Sequence, residues 1–302
     1  MKNNLLNHAK QHILLFTLST CACLSQVQAQ SSNLVADGAT LNLVSSQFSF
    51  TEGPAVNKKG DVYFTDQPND KIYKYDTKGK LTEYMSPSGR SNGLFFDAKG
   101  NLISCADNKN ELWKIDNKKQ VQVLVKAFEG KLLNGPNDLW IRKDGGIYFT
   151  DPHYPRKYWD RSQKPIEPKV YYLNPEGDLR VVMDGFMQPN GIVGNPESNL
   201  LYVADIKGQK TYVFHMEENG DLSQRKLFCE MGSDGMTIDK AGNVYLTGKG
   251  VTVFNPEGEK IDHIDVPEGW TANVTFGGKK RDMLFITASK SAYTLKMNAK
   301  GF

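Results

Sequence analysis

The fold of this 302-residue chain can be inferred from the sequence LNGPNDL at positions 133–139, which is followed by GIYFTD at 146–151. It is a polar turn followed by a short run of β-branched and aromatic residues, which is typical of a strand that leaves a tight turn. The same arrangement recurs along the chain, and each copy opens on a polar residue. These openers are Glu52, Asn92, Asn137, Asn190, Asp234 and Asn273.

The copies are regularly spaced. Successive openers are 40, 45, 53, 44 and 39 residues apart, and the same position of the next strand follows each opener by 11 or 12 residues. Five of those six strand positions are aromatic, the set being Tyr63, Ile103, Tyr148, Tyr202, Tyr245 and Phe285. A repeat of about 40–50 residues with four short strands indicates a propeller blade. Six units therefore predict an all-β, six-bladed β-propeller.

A ring of blades must close on itself. Little chain remains after the third strand of the sixth unit, whereas residues 40–44 form a spare strand ahead of the first opener. We expect this N-terminal strand to complete the last blade, so that residues 40–302 form one domain. The alternative is a β-sandwich with turns at similar intervals, which does not require a constant offset from a polar opener.

The first thirty residues differ from the rest. Lys2 and Lys10 precede an apolar run, and the small residues before Ala29 suit cleavage there, so residues 1–29 are predicted to be a secretory signal peptide. We therefore expect an exported protein, periplasmic or secreted. Residues 30–39 are polar and are predicted to form a flexible leader.

Cysteines and charge narrow the range of partners. Cys21 and Cys23 fall in the signal peptide, where lipid attachment is the alternative to simple cleavage, and Cys105 and Cys229 are expected to be buried free thiols.

Without the first 29 residues the chain has 35 basic and 34 acidic side chains, a net charge of +1. Such a balance gives no electrostatic footprint for nucleic acid or an anionic membrane. We expect neither as a partner, and a monomer or weak dimer.

The openers are the main functional signal. Equivalent residues of six blades lie at one height on the central channel, so the openers are predicted to form a ring. A turn needs no carboxylate, yet the first and fifth copies supply Glu52 and Asp234, which would repel each other and be costly to desolvate. A cation between them would relieve that cost. Oxygen donors with two negative charges favour Ca²⁺, ahead of Mg²⁺ and Mn²⁺, with Zn²⁺ the least favoured.

Several motifs resemble the SMP-30/regucalcin/gluconolactonase family of propellers. They are FTEGP (50–54), GPND (135–138), FTDPHY (149–154), QPNGI (188–192), SDGM (233–236) and NVTFGG (273–278). The resemblance covers roughly residues 40–296. It implies a six-bladed propeller that holds one divalent cation and hydrolyses sugar lactones.

The resemblance also implies roles for individual residues. Glu52, Asn190 and Asp234 match the metal ligands of the family, and Asn137 matches the residue that reaches the metal or the substrate beside it. We expect Asp234 and Asn137 to be catalytic. In this hypothesis the cation polarises the lactone carbonyl, Asp234 orients or deprotonates the attacking water, and the amides of Asn137 and Asn190 hold the reactants in register.

Recognition of the sugar requires other residues. Regucalcin-type members have an arginine two residues before the central asparagine, where this chain has Gly135. The longest spacing contains an insertion at 152–168 whose arginine and aromatic content suits a lid over a sugar-sized ligand. The candidates for substrate binding are Arg90, Asn92, His153, Tyr154 and Asn273. The insertion also contains Arg156, Tyr158, Trp159, Asp160 and Arg161.

Three other functions are compatible with the same fold. A phosphotriesterase-like hydrolase resembling diisopropyl fluorophosphatase would use the cation to polarise P=O. A non-catalytic binding propeller of the NHL type needs no converging carboxylates and would tolerate loss of Glu52 or Asp234. A strictosidine-synthase-like propeller is disfavoured, because the metal-binding set here looks complete.

Overall fold

The computed structural model describes residues 34–159 and 164–302. The predicted signal peptide, residues 30–33 of the predicted leader, and Asp160 and Arg161 lie outside the described residues. Among the described residues, no helix has the length and hydrophobicity needed to cross a membrane.

The described chain forms six four-stranded antiparallel sheets, each of which is one blade. The first three blades are, from the channel outwards, β2 (Thr51–Val56), β3 (Val62–Asp66), β4 (Lys71–Tyr75), β5 (Leu81–Met85); β6 (Ser91–Phe96), β7 (Leu102–Ala106), β8 (Glu111–Ile115), β9 (Val121–Val125); and β10 (Leu139–Ile141), β11 (Ile147–Asp151), β12 (Lys169–Leu173), β13 (Leu179–Met183). The next two are β14 (Pro189–Asn195), β15 (Leu200–Asp205), β16 (Lys210–Met216), β17 (Leu222–Cys229); and β18 (Met236–Ile238), β19 (Val244–Gly248), β20 (Gly250–Phe254), β21 (Lys260–Ile264). The last is β22 (Thr271–Gly277), β23 (Met283–Ala288), β24 (Ser291–Lys296) and, outermost, β1 (Asn42–Ser45).

The six innermost strands form a closed ring. Strand β2 contacts β6 on one side and β22 on the other, and β10, β14 and β18 complete the circle. The prediction of a six-bladed β-propeller is therefore confirmed.

The aromatic residues of the second strands pack between blades. All six equivalent positions are buried. Tyr63 of the first blade meets Phe96 of the second edge to face at 5.0 Å, and Tyr245 of the fifth meets Phe276 of the sixth in the same way at 5.2 Å. Edge-to-face pairs add to the free energy gained from burial, so this repeated position helps to hold neighbouring blades together. Cys105 and Cys229 are buried and unbridged, as predicted.

The N-terminal strand closes the ring as the sequence predicts. Strand β1 pairs antiparallel with β24, with Asn42 opposite Thr294. Part of the predicted leader also contacts the last blade, because Leu34, Val35 and Ala39 pack against its apolar cluster. Val35 forms a bridge with Met297, and the Ala36 N–H donates to the Lys296 carbonyl at 3.1 Å. The polar composition of residues 30–39 gave no indication of this contact, because the contact depends on a few apolar residues.

We expect removal of the closing strand to destabilise the whole ring. A chain that begins at Ser46 leaves the edge of β24 unpaired and exposes the apolar surface that the N-terminal segment covers. Its free energy of unfolding, measured in urea, should fall by about 3 kcal/mol or more, the scale of burying one or two large aliphatic side chains. A chain that begins at Ser32 is the control and should match the full chain. Equal stability of the two shortened chains would contradict this role for β1.

Candidate functional site

The openers lie where the inner strands begin. Glu52, Asn92, Asn190 and Asn273 are within the first residues of their strands, and the other two openers come two residues before β10 and β18. Asp234 is half-buried and the other five are buried. The fixed offset in the sequence thus corresponds to a fixed place at one end of the channel.

Strand-end aspartates hold the loops that lead to three of the openers. Asp66, Asp151 and Asp205 end the second strands of blades one, three and four. Each carboxylate accepts hydrogen bonds from the two backbone N–H groups three and two residues ahead of its opener. The donors are Ser49 and Phe50 (both 3.1 Å), Asn134 and Gly135 (both 2.9 Å), and Met187 and Gln188 (2.8 and 2.9 Å).

Neighbouring blades are coupled through the backbone of the openers. The Thr65 hydroxyl donates to the Asn92 carbonyl at 3.1 Å, and the Thr150 hydroxyl donates to the Asn190 carbonyl at 2.7 Å. The Gly93 N–H donates to the Asn137 carbonyl at 2.7 Å. Because these bonds join adjacent blades, the position of one opener depends on the position of the next.

A cavity of about 370 Å³ lies at this end of the channel. Its polar lining includes Glu52, Asn92, Asn137 and Asp234. Its apolar wall is formed by Phe50, Pro68, Ile206 and Trp270. A lining that combines apolar side chains with a few polar groups, around a volume typical of small-molecule sites, is the usual form of a ligand-binding pocket.

Hydrogen bonds join Asp234 to its neighbours on both sides. The Asn190 amide donates from Nδ2 to Asp234 Oδ1 and to the Tyr154 hydroxyl, both at 2.8 Å. The Trp270 indole donates from Nε1 to Asp234 Oδ2 at 2.6 Å. Both oxygens of this carboxylate are therefore fixed in orientation, and the insertion after β11 reaches the ring of openers through Tyr154.

A third carboxylate, which the sequence analysis missed, lies deeper in the channel. Asp138 is buried and accepts from the Asn273 amide at 3.2 Å and from the Leu139 N–H at 2.9 Å. The sequence did carry a signal, because four of the other openers are followed by glycine. Asp138 and Asn273 border a smaller cavity of about 70 Å³, so Asn273, a predicted substrate-binding residue, holds this carboxylate and does not border the larger cavity.

Burial makes these carboxylates hard to ionise. Removal from water raises the pKa of Glu52 well above its usual range, and the nearby Asp234 and Asp138 raise it further. The pKa of Asp234 is raised by burial, against the opposing hydrogen bonds from Trp270 and Asn190. Burial raises the pKa of Asp138 to about 7. Three carboxyl groups with raised pKa in one channel are a site where a positive charge would be stabilised.

The chemistry of the donors fits a hard divalent cation. Asn190 Oδ1 is buried and has no hydrogen-bond partner, which is costly for an amide oxygen unless a ligand satisfies it. Within the described ranges, no cluster of three or more His, Cys, Asp or Glu residues is arranged to hold a metal, so carboxylates alone do not make a site. Glu52, Asp234 and the amide oxygens of Asn190 and Asn137 together offer the oxygen ligands that Ca²⁺ accepts.

The structure brings together some of the predicted substrate-binding residues and not others. Asn92 and Tyr154 border the larger cavity, whereas Arg90 and His153 do not. The Arg90 guanidinium lies 4.4 Å from the centre of the Tyr158 ring and donates to the Pro68 carbonyl at 2.7 Å. Arg90 therefore supports the insertion from outside, and its place next to an opener in the sequence did not predict the direction of its side chain.

Trp270 and Arg156 border the cavity and were not among the predicted sites. Trp270 lies three residues before its opener and donates to Asp234. Arg156, which belongs to the lid-like insertion, borders the cavity together with Tyr154. Position within a periodic repeat could have indicated Trp270, but nothing in an irregular insertion distinguishes Arg156 from its neighbours.

The glycine that replaces the arginine of regucalcin-type members is tightly enclosed. Gly135 has a φ of +129°, and a Cβ atom there would lie 2.6 Å from Asp107 Oδ1 and 2.9 Å from Trp159 Cζ2. Both neighbours are fixed to each other, since the Trp159 indole donates to the Asp107 carbonyl at 2.7 Å. The structure therefore leaves no room for a side chain at position 135.

The fold and the site define a class of protein, a six-bladed β-propeller that gathers carboxylates and amides in a cavity at one end of its channel. A family model described as SMP-30/Gluconolactonase/LRE-like region matches residues 50–290. The chain belongs to this family.

Similar proteins include enzymes of two kinds. A gluconolactonase of Zymomonas mobilis is 28% identical over 292 residues, 86% of this chain and 82% of the relative. A solved gluconolactonase structure from Xanthomonas campestris is 28% identical, with a TM-score of 0.81 over 88% of this chain and 91% of that one. The diisopropyl-fluorophosphatase of Loligo vulgaris is 26% identical over 68% of this chain and 75% of its own.

We expect Gly135→Ala to destabilise the protein more than its backbone conformation alone would explain. The new methyl group must displace either the Asp107 carboxylate or the Trp159 ring, so the free energy of unfolding should fall by roughly 2 kcal/mol or more. Gly145→Ala is the matched control, because Gly145 has a φ of +98° and open space around its Cβ position. That variant should lose only about 1 kcal/mol. Equal losses in urea denaturation would show that crowding is unimportant.

Proposed function

We propose that this protein is a hydrolase that opens lactones at the cavity above Glu52, Asn137 and Asp234, with the help of one divalent cation, Ca²⁺ before Mg²⁺ or Mn²⁺. The observation that carries the proposal is the convergence of the buried Glu52 carboxylate, the half-buried Asp234 carboxylate and the unpartnered Asn190 oxygen at one end of the channel. Membership of the family and similarity to two gluconolactonases support the choice of substrate.

The cation, when bound by Glu52, Asn190, Asp234 and Asn137, would act as a Lewis acid towards the carbonyl oxygen of the lactone. In this proposal Asp234 orients the attacking water and accepts its proton, and the hydrogen bonds from Trp270 and Asn190, which fix its carboxylate beside the cavity, support that role. Water adds to the carbonyl carbon, the ring C–O bond breaks, and the proton passes to the ring oxygen as it leaves. Asn137 supplies a neutral amide beside these atoms and holds the reactants in register.

A phosphotriester hydrolase is the second candidate. The similarity to diisopropyl-fluorophosphatase favours it, and the same carboxylates and amides would serve that reaction. A non-catalytic binding propeller has less support, because it has no need for the converging carboxylates of Glu52 and Asp234.

We expect lactone hydrolysis to depend on a hard divalent ion. The protein would be treated with EDTA, dialysed, and assayed on D-glucono-1,5-lactone and on a panel of γ- and δ-lactones. Activity should disappear after chelation and return with Ca²⁺ more fully than with Mg²⁺ or Mn²⁺. Full activity after chelation would contradict the role of the cation. Absence of activity on every lactone, with hydrolysis of diisopropyl fluorophosphate, would support the second candidate instead.

We expect Asp234→Asn to keep the fold and to lose most of the activity. The amide keeps one oxygen, which can accept from either Trp270 or Asn190, but it cannot take a proton from water, so kcat should fall by roughly 10²- to 10⁴-fold. Circular dichroism and urea denaturation would check the fold, and calorimetry would measure Ca²⁺ affinity separately from turnover. The control is Asp221→Asn, at an exposed ion pair with Arg180. Turnover of Asp234→Asn at the wild-type rate would overturn the assignment.

A further inference from the structure

The closed space at Gly135 means that a substrate-binding arginine cannot come from that position. Asp107 and Trp159 occupy the place where such a side chain would start. The cavity nevertheless contains a guanidinium. Among the described residues that border it, Arg156 is the one with a cationic side chain.

One edge of the Arg156 guanidinium is hydrogen-bonded to the protein, and the other edge is open. Its Nε donates to Asp107 Oδ2 at 3.1 Å, and its side chain is 27% exposed. The guanidinium also lies 5.6 Å from the centre of the Tyr154 ring, which itself bonds with Asn190. A guanidinium has five N–H donors, so the use of Nε leaves the two Nη groups for a ligand.

Asp107 gives this arginine a rigid support. The buried carboxylate accepts hydrogen bonds from Gln67 Nε2 at 3.2 Å and from the Tyr158 hydroxyl, in addition to Arg156. The Trp159 indole donates to the Asp107 backbone carbonyl. Three donors from two segments of the chain therefore fix one carboxylate, and a side chain fixed in this way orients its partner with little loss of conformational entropy on binding.

We propose that Arg156 determines substrate specificity by binding a pair of oxygen atoms on the substrate, on carbons away from the scissile carbonyl. The ligand chemistry is a pair of acceptor oxygens, supplied by neighbouring hydroxyl groups or by a carboxylate. This proposal rests on the proposed lactone hydrolysis and narrows its substrate class to lactones that carry such oxygens.

The geometry gives a physical reason for this selectivity. The planar guanidinium fork matches paired oxygens, and its bonds to them are strong when water is largely removed. A purely aliphatic lactone offers no acceptor apart from its ester oxygens, so its ring carbons would cover the Nη groups without replacing the water bonded to them, which is unfavourable. The apolar wall of the cavity can pack against the ring carbons of both kinds of lactone.

The test compares three substrates. D-Glucono-1,5-lactone carries hydroxyl groups, D-glucaro-1,4-lactone also carries a carboxylate, and δ-valerolactone carries neither. In Arg156→Met, kcat/KM for the two oxygenated lactones should fall roughly 10- to 100-fold, mainly through KM, whereas δ-valerolactone should change less than about threefold. A larger loss with the glucaro-lactone would identify a carboxylate as the partner, and equal losses would identify hydroxyl groups.

Two further variants separate binding from structure. Arg156→Lys keeps a positive charge beside Asp107 but lacks the planar fork, so it should fold like the wild type and lose part of the selectivity. Arg225→Met is the matched control, because Arg225 stacks on Tyr212 at 4.1 Å on the outer strand of the fourth blade. That variant should hydrolyse all three lactones like the wild type.

A binding measurement keeps this proposal distinct from the lactonase proposal. Calorimetry with D-gluconate and D-glucarate, in the presence of Ca²⁺, should show affinities about tenfold weaker in Arg156→Met than in the wild type, even if no lactone is hydrolysed. Equal losses on δ-valerolactone and the oxygenated lactones would overturn the proposal, as would unchanged binding. Failure of the wild type both to hydrolyse the lactones and to bind either acid would overturn it as well.

Discussion

The site depends on one repeated interaction, the bond between a strand-end carboxylate and two successive backbone N–H groups of the loop ahead of the opener. Buried N–H groups must find acceptors, and a charged acceptor binds them more strongly than a carbonyl does. Asp66, Asp151 and Asp205 supply those acceptors in three blades. Because each carboxylate is attached to a rigid second strand, it holds the irregular loop ahead of the opener in a fixed position. This loop in turn fixes the position of the functional side chain.

The same logic explains why so much of the fold could be predicted from the sequence. The propeller repeats one constraint six times, so the constant offset between opener and aromatic residue was visible without any knowledge of the contacts. Ring closure followed from counting strands, and β1 lies where the count required. The contact of Leu34 and Val35 with the last blade could not be predicted, because it depends on two apolar residues in a polar context.

The candidate site was predictable only where it follows the repeat. The openers occupy equivalent positions, so their convergence was implied by the fold. Asp138 sits one residue later, and its direction depends on the local turn that leads into β10. Arg90 and Arg156 show the limit most clearly, because both are arginines near predicted site residues. Arg90 supports the insertion from outside, whereas Arg156 borders the cavity. Which of the two reaches the cavity depends on the path of an irregular segment, which the sequence pattern does not predict.

The mixture of carboxylates and amides in the channel also has a physical reason. Six carboxylates would repel one another, whereas amides add acceptor oxygens without charge. An asparagine amide has a donor NH₂ end and an acceptor oxygen end. A neighbouring carboxylate binds the NH₂ end and so determines the orientation of the amide. Asn190 donates to Asp234, so its oxygen is left without a partner, whereas Asn273 donates to Asp138 while its oxygen accepts from the Val274 N–H at 2.8 Å. Two asparagines at equivalent positions thus have different roles, since one can offer an oxygen to a cation and the other can only hold a carboxylate in place.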